Sequence, residues 1–199
     1  MILTIGGMPG AGKSTIAKML AEKLSFPRYY MGGIFREMAA KRNMDINEFY
    51  KVIAQDPSID QGVDNYQRRL GQTKDNFILE GRMSFHFIPH SLKLFFKVDP
   101  LIAANRIFDE CKGETSRGEN YSSLDEVVSA IKERLNQESE RYLSLYGVNH
   151  VDESNFDIVI DTSEKSINEV FLEIYNIVLT HQKSVSNQST TVFPVSCAH

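Results

Sequence analysis

The chain has 199 residues, of which 42% are hydrophobic and 24% are charged, and its formal net charge at pH 7 is −4. These values are typical of one globular domain with its own core, and the small net charge argues against a nucleic acid polymer or a membrane surface as partner. The sequence shows neither a secretion signal nor an apolar run of membrane-spanning length. Cys111 and Cys197 lie far apart without metal-ligand spacing, so we expect a cytoplasmic protein with reduced thiols.

The first predicted element is a strand over residues 1–5, and a glycine-rich loop follows it directly. Residues 7–14 fit G-x-x-x-x-G-K-[ST], the phosphate-binding P-loop, and apolar residues recur at helical spacing from Thr15 to Leu24. Glycines let the backbone approach phosphate oxygens, and successive N–H groups at a helix start form an anion site. In this pattern Lys13 supplies a charge to the β- and γ-phosphates of a nucleotide, and Ser14 supplies a hydroxyl to Mg²⁺. We assign nucleotide binding to the whole loop: Gly7, Met8, Pro9, Gly10, Ala11, Gly12, Lys13, Ser14 and Thr15.

The remaining elements alternate between short apolar strands and helices. Further strands are predicted at residues 28–31, 77–80, 92–98 and 157–161. Helices are predicted at 34–41, after Asp45, from Pro57, from Pro100, at 124–146 and at 167–179. Strands separated by helices predict an α/β fold with a five-stranded parallel sheet. The polar tail over 183–199 is predicted to be disordered.

Two of the predicted helices carry polar residues that bear on a binding site. In the helix over 34–41, Arg36 is expected in the first turn. In the helix that begins at Pro57, we expect one face to bury Ile59, Val63, Tyr66 and Leu70. A different face of the same helix bears Asp60, Asp64 and Gln67.

Arginines recur where the chain should return to the mouth of the P-loop. Arg36 follows the second strand and Arg82 the third, at the strand ends where open α/β sheets bind ligands. Arg134 and Arg141 share a helix face, with Glu138 between them. Such a set suits phosphoryl transfer, since catalysis there is mostly positioning and charge neutralisation and the guanidinium binds phosphate bidentately. The pattern predicts transfer of a phosphoryl group to a small acceptor.

Two of these residues have an open alternative role. Arg134 and Glu138 have the i,i+4 spacing of an ordinary ion pair on a helix surface. Glu80, at the end of the strand beside the P-loop strand, is either a carboxylate at the edge of the core or a group that holds a Mg²⁺-bound water. We assign Ser14 and Glu80 to the metal.

Taken in order, these segments resemble a cytidylate kinase of the archaeal type. The resemblance runs from Met1 to about Leu179 and rests on residues 7–15, 33–37, 56–60, 80–82, 131–134, 138, 141–142 and 161–163. Many enzymes share the P-loop, whereas the later motifs in this order are far more specific. The resemblance implies a P-loop nucleoside monophosphate kinase fold over residues 1–182, with acceptor-binding helices at about 33–74 and a lid at about 108–142.

The resemblance also implies the reaction, which is ATP-dependent phosphorylation of CMP or dCMP with Mg²⁺. In it, Arg36 and Arg82 would hold the acceptor's α-phosphate, while Arg134 and Arg141 would bridge the donor and acceptor phosphates. Glu138 matches an acidic position that faces the cytosine amino group in related enzymes. We accordingly assign catalysis to Lys13, Arg82, Arg134 and Arg141, acceptor binding to Arg36, Arg82, Glu138, Asp60 and Asp64, and donor binding also to Arg106.

The segment over 110–123 is longer than expected of the archaeal type, and its polar, glycine-containing part, 112–118, predicts a mobile lid. The expected partners are small-molecule nucleotides, and the expected state is a monomer. Two alternatives stay open. The same fold could phosphorylate another small acceptor, such as AMP, shikimate or dephospho-coenzyme A, or the chain could be a nucleotide-binding regulator without catalysis.

Overall fold

A computed structural model describes residues 1–112 and 121–189, which form a five-stranded parallel sheet flanked by helices. The strands are β1 (Ile2–Gly7), β2 (Arg28–Tyr30), β3 (Phe77–Glu80), β4 (Leu92–Lys97) and β5 (Ile158–Asp161). The helices are α1 (Lys13–Leu24), α2 (Met31–Ala40), α3 (Ile46–Gln55), α4 (Pro57–Thr73), α5 (Ser84–Phe87), α6 (Pro100–Lys112), α7 (Leu124–Tyr146) and α8 (Ile167–Ser189). The predicted fold class is confirmed.

The sheet places the P-loop at its centre. The strand order is β2-β3-β1-β4-β5, and β1, the strand that leads into the P-loop, is buried along its whole length. In the pairing of β1 with β3, Ile5 lies opposite Glu80. Parallel strands end at the same edge, so the P-loop after β1 and the Gly81-Arg82 turn after β3 meet there.

Apolar faces of the helices hold this edge in place. Ile16 and Leu20 of α1 share a core cluster with Ile174 and Val178 of α8, on the sheet residues of β1 and β4. Burial of side chains of this kind stabilises the fold by roughly 1.5–3 kcal/mol each. The result is a rigid floor under the P-loop.

Two glycines of the P-loop are required by the backbone. Gly7 has φ +130°, and a Cβ there would lie 2.2 Å from the carbonyl oxygen of Phe96. Gly10 has φ +71°, and a Cβ there would lie 2.7 Å from the carbonyl oxygen of Ala103. Only glycine fits both the conformation and the space, so the loop is pressed against β4 and α6.

Three of the predicted element details are wrong. α2 begins at Met31, so Arg36 lies in the middle of the helix and not in its first turn. In α4, Tyr66 is 40% exposed, whereas the face with Asp60, Asp64 and Gln67 is buried. The closing helix α8 continues to Ser189, so residues 183–189 are helical and not disordered.

Two predictions fall partly outside the described residues. The lid segment expected at 112–118 and the tail expected at 183–199 include residues 113–120 and 190–199, which the structure does not describe. Within the described ranges, no helix is both long and apolar enough to cross a membrane.

Candidate active site

A cavity of about 540 Å³ opens at the edge of the sheet where β1 and β3 end. Its lining includes the P-loop from Pro9 to Thr15. It also includes most of the other predicted site residues: Arg36, Asp60, Asp64, Glu80, Arg82, Arg106, Arg134 and Glu138. The lining does not include Gly7, Met8 or Arg141. One cavity thus collects residues from segments that are far apart in the sequence.

The P-loop presents the start of α1 to this cavity. Gly12 caps the helix in the left-handed conformation, and no side chain caps the first N–H groups. Unpaired N–H groups at a helix start attract anions. The ammonium group of Lys13 donates to the carbonyl oxygen of Met8 at 2.5 Å, which keeps this cation beside the loop. The arrangement suits the phosphates of a nucleotide.

Ser14 and Glu80 meet at the floor of the cavity. The hydroxyl of Ser14 donates to Oε1 of Glu80 at 2.5 Å, and Arg28 donates to Oε2 at 2.5 Å. Glu80 is only 3% exposed. Hydroxyl and carboxylate oxygens are the ligands that Mg²⁺ prefers, so these residues fit the metal predicted here. Arg28, which sequence reasoning missed, is the partly buried counter-charge of Glu80. Its only sequence signal was its place at the start of a strand.

A buried carboxylate, Glu138, joins two of the predicted arginines. Its Oε2 lies 2.9 Å from Nε of Arg82, and its Oε1 accepts a hydrogen bond from Nε of Arg134 at 3.0 Å. His150, whose ring is also buried, lies 3.4 Å from Oε2. We call these four residues the Glu138 cluster. Sequence reasoning missed His150, which no motif or helical spacing marks.

The charge state of the Glu138 cluster follows from its surroundings. Burial by itself raises the pKa of Glu138, but the guanidinium groups of Arg82 and Arg134 outweigh it and hold that pKa well below its usual range. Burial lowers the pKa of His150, although Glu138 opposes this effect. At neutral pH the cluster therefore holds an ionised carboxylate between two arginines.

This geometry bears on the role predicted for Glu138. The i,i+4 pair with Arg134 exists, but it is buried in the cavity wall and not on the helix surface. Both carboxylate oxygens already face arginine nitrogens. Each oxygen of Glu138 thus has an arginine nitrogen within 3.0 Å, and contact between Glu138 and the acceptor stays a prediction.

The other predicted arginines at the cavity are held by aromatic residues. Arg36 donates to the hydroxyl of Tyr30 and, at 3.5 Å, to the carbonyl oxygen of Gly32. Arg134 donates to the hydroxyl of Tyr50 at 2.7 Å, and its guanidinium carbon lies 4.7 Å from the centroid of that ring. Cation–π contacts of this kind orient a guanidinium without neutralising it.

Arg141, which is predicted to bridge the donor and acceptor phosphates, pairs with a carboxylate of α4. Its Nε lies 3.3 Å from Oδ2 of Asp60, and its Nη2 donates to the hydroxyl of Tyr142 at 3.1 Å. Asp60 is itself 3% exposed. A buried carboxylate needs a paired cation, and Arg141 supplies it. In this structure Arg141 positions α4 and does not reach the cavity.

Arg106 closes the donor side of the cavity. It donates from Nη1 to the carbonyl oxygen of Gly10 at 3.4 Å and from Nη2 to the carbonyl oxygen of Thr162 at 2.7 Å. These bonds join the P-loop to the turn after β5. Arg106 thus lines the cavity on the side where the sequence placed the nucleotide donor.

A P-loop, a hydroxyl–carboxylate pair and arginines from several elements around one cavity define a P-loop phosphotransferase. A protein-family model described as an AAA domain matches residues 6–127. The cytidylate kinase of Methanothermobacter thermautotrophicus is 36% identical over 163 residues, which cover 82% of this chain and 96% of that protein. The cytidylate kinase of Methanocaldococcus jannaschii is 38% identical over 176 residues, which cover 86% of this chain and 93% of that protein. The chain therefore belongs to the AAA domain family and, within it, to the archaeal-type cytidylate kinases, and it is a nucleoside monophosphate kinase.

Solved structures show the same fold at low identity. The shikimate kinase of Bacteroides thetaiotaomicron has a TM-score of 0.61 and 15% identity, covering 90% of this chain and 98% of that one. The shikimate kinase of Aquifex aeolicus has a TM-score of 0.56 and 18% identity, covering 92% of this chain and 98% of that one.

Proposed function

We propose that this kinase transfers the γ-phosphoryl group of ATP to CMP or dCMP. The observation that supports this proposal is the mixed lining of the cavity. Arg36, Arg82 and Arg134 line it together with the P-loop, and so do Asp60 and Asp64 of α4. A nucleoside monophosphate needs both kinds of group, because its phosphate binds cations and its base forms hydrogen bonds. The archaeal relatives that resemble this chain over most of its length are named cytidylate kinase.

Each part of the cavity has a role in this reaction. An oxygen of the acceptor phosphate attacks the γ-phosphorus, and the bridging oxygen leaves with ADP. The P-loop N–H groups and Lys13 hold the donor phosphates, and Arg36 and Arg82 hold the acceptor phosphate. Mg²⁺, for which Ser14 and Glu80 are suited, would neutralise charge on the donor when bound. The protein contributes mainly alignment and charge stabilisation, as is usual for phosphoryl transfer.

The proposal is tested with a panel of acceptors in a coupled assay of ADP release. CMP, dCMP, UMP, AMP, shikimate and dephospho-coenzyme A are each supplied with ATP and Mg²⁺. We expect turnover with CMP and dCMP to exceed that with every other acceptor. Preferred turnover of another acceptor would show a different kinase specificity. ATP binding without turnover of any acceptor would support a regulatory protein.

Replacing Arg36 or Arg82 by alanine is expected to raise the KM for CMP much more than the KM for ATP. Both side chains line the cavity and are proposed to hold the acceptor phosphate. Each lost charged contact to phosphate costs about 1.5–3 kcal/mol. Lysine at either position should restore little, because an ammonium group cannot reproduce the bidentate guanidinium.

Steady-state kinetics with each substrate varied in turn measures both constants. Arg69→Ala is the matched control, since Arg69 lies on the exposed side of α4. Equal increases in the two KM values would contradict the acceptor assignment.

A further inference from the structure

A stripe of buried polar side chains on α4 lines the cavity, and the part of the acceptor that it contacts has not yet been assigned. Asp60, Asp64 and Gln67 are spaced by four and three residues, so they share one face of the helix. They are 3%, 6% and 3% exposed, and all three line the cavity. Burying polar groups costs free energy unless they find partners. We therefore ask which of their atoms are already paired.

Within the part of the chain that the structure describes, hydrogen bonding leaves polar atoms of Asp64 and Gln67, both of which line the cavity, without a partner. Asp60 is neutralised by Arg141. Oδ2 of Asp64 accepts a hydrogen bond from the hydroxyl of Tyr146, and Oε1 of Gln67 accepts one from the hydroxyl of Ser84 at 2.7 Å. Over residues 1–112 and 121–189, no hydrogen bond reaches the second carboxylate oxygen of Asp64 or the amide nitrogen of Gln67. Because Ser84 fixes the amide oxygen, the N–H₂ group of Gln67 must turn away from it.

The second oxygen of Asp64 is a hydrogen-bond acceptor, and the amide nitrogen of Gln67, about one helical turn further along α4, is a donor. Cytosine presents the complementary pair, because its 4-amino group donates and its ring N3 accepts. Uracil presents the reverse, with an accepting O4 and a donating N3–H. Glu138 differs from Asp64 and Gln67, since each of its oxygens already lies within 3.0 Å of an arginine nitrogen.

We infer that Asp64 and Gln67 read the base of the acceptor nucleotide. The second oxygen of Asp64 accepts from the cytosine amino group, and the amide N–H₂ of Gln67 donates to N3. This inference rests on the proposed function and deepens it. With uracil, the Asp64 oxygen would face the accepting O4, and the Gln67 N–H₂ would face the donating N3–H. Buried sites that depend on hydrogen-bond pairing reject such a mismatched base strongly. Adenine offers the same donor and acceptor as cytosine, so rejection of AMP depends on the size of the cavity.

The surroundings of Asp64 raise the pKa of its carboxyl into the pH range in which the enzyme can be assayed. Burial raises the pKa of Asp64 to about 6; the Tyr146 hydroxyl, Arg68 and Arg141 oppose the rise, while Asp60 adds to it. His86 lies against Tyr146, with ring centroids 5.7 Å apart. A protonated Asp64 can donate a hydrogen bond to O4 of uracil. Discrimination against UMP should therefore weaken as the pH falls through about 6.

Asp64→Asn is the main test, because its amide can donate to uracil. We expect the ratio of kcat/KM for CMP to that for UMP to fall at least about tenfold, with the KM for ATP unchanged. Gln67→Met, which removes the donor at similar size, should lower kcat/KM for CMP more than for UMP. Asp125→Asn, at an exposed position of α7, is the matched control and should leave the ratio unchanged.

The pH dependence gives a second readout. As the pH is lowered from about 8 to about 5.5, the ratio of kcat/KM for CMP to that for UMP should fall in the wild type and stay constant in Asp64→Asn. Titration of the phosphate does not change this ratio, because both acceptors carry the same phosphate. Titration calorimetry of CMP and UMP with each variant measures the same preference without turnover.

The outcomes separate this inference from the proposed function. A wild type that phosphorylates CMP, with an unchanged ratio in Asp64→Asn and Gln67→Met, would overturn the base-reading role alone. A fall of the ratio in Glu138→Gln, with none in Asp64→Asn, would assign base reading to Glu138. Absence of CMP turnover in the wild type would overturn both. If Asp64→Asn fails to fold, Gln67→Met decides the question.

Discussion

Replacing Lys13 by alanine is expected to lower kcat/KM at least about a hundredfold, or roughly 3 kcal/mol of transition-state stabilisation. Lys13 is the only side-chain cation within residues 7–15. Its ammonium group lies beside the loop, 2.5 Å from the carbonyl oxygen of Met8. Charge develops on the transferring phosphoryl group in phosphoryl transfer, and contacts between charges are stronger in a protein cavity than in bulk water.

The measurement compares the initial rate of ADP release by purified wild type and Lys13→Ala, with thermal unfolding to show that the fold persists. Lys18→Ala is the control, because Lys18 lies on the exposed side of the same helix. Turnover near the wild-type rate in Lys13→Ala would contradict the P-loop assignment.

Replacing Glu138 by glutamine is expected to lower the free energy of unfolding by about 3–5 kcal/mol at neutral pH, the cost of breaking a buried pair by removing one partner. Glu138 is 3% exposed and lies within 3.0 Å of arginine nitrogens on both sides. The amide would leave Arg82 and Arg134 facing each other without a counter-charge.

The pH dependence of this loss has a defined sign. The folded-state pKa of Glu138 is held well below 4.5, so the ionised carboxylate stabilises the fold above that pH and loses this contribution as the pH falls. The difference between wild type and Glu138→Gln should be full at neutral pH and narrow in acid. Urea unfolding at both pH values measures it, with Glu140→Gln on the exposed side of α7 as control. Equal stability of all three proteins at neutral pH would show that the pair contributes nothing.

The elements that the sequence predicted well depend on local patterns. The P-loop is defined by eight neighbouring residues, 7–14, and β3 is a short apolar run that coincides with its prediction. The long amphipathic helix was predicted from Leu124 to Tyr146, the same bounds that α7 has. In each case the periodicity or the turn residues lie within the segment itself.

The errors arise where tertiary contacts decide. A pattern of polar and apolar residues cannot distinguish a polar face in water from one that lines a cavity, so the burial of Asp64 beside the exposed Tyr66 was not predictable. The helix predicted from residue 34 begins at Met31 and so includes Gly32, where a Cβ would lie 2.8 Å from the ring of Tyr30. Arg141 had the spacing of a phosphate ligand, yet its partner is Asp60, 81 positions earlier in the chain.

The carboxylate between Arg82 and Arg134 has a consequence for the release of products. With Glu138 beside them, these two arginines enter each reaction cycle already half neutralised. Their attraction for nucleotide phosphates is therefore weaker than that of two bare guanidinium groups. An enzyme that bound its products more tightly would gain affinity and lose speed, because the departure of product limits turnover in many enzymes. We therefore expect Glu138 to shorten the time for which phosphorylated products stay bound.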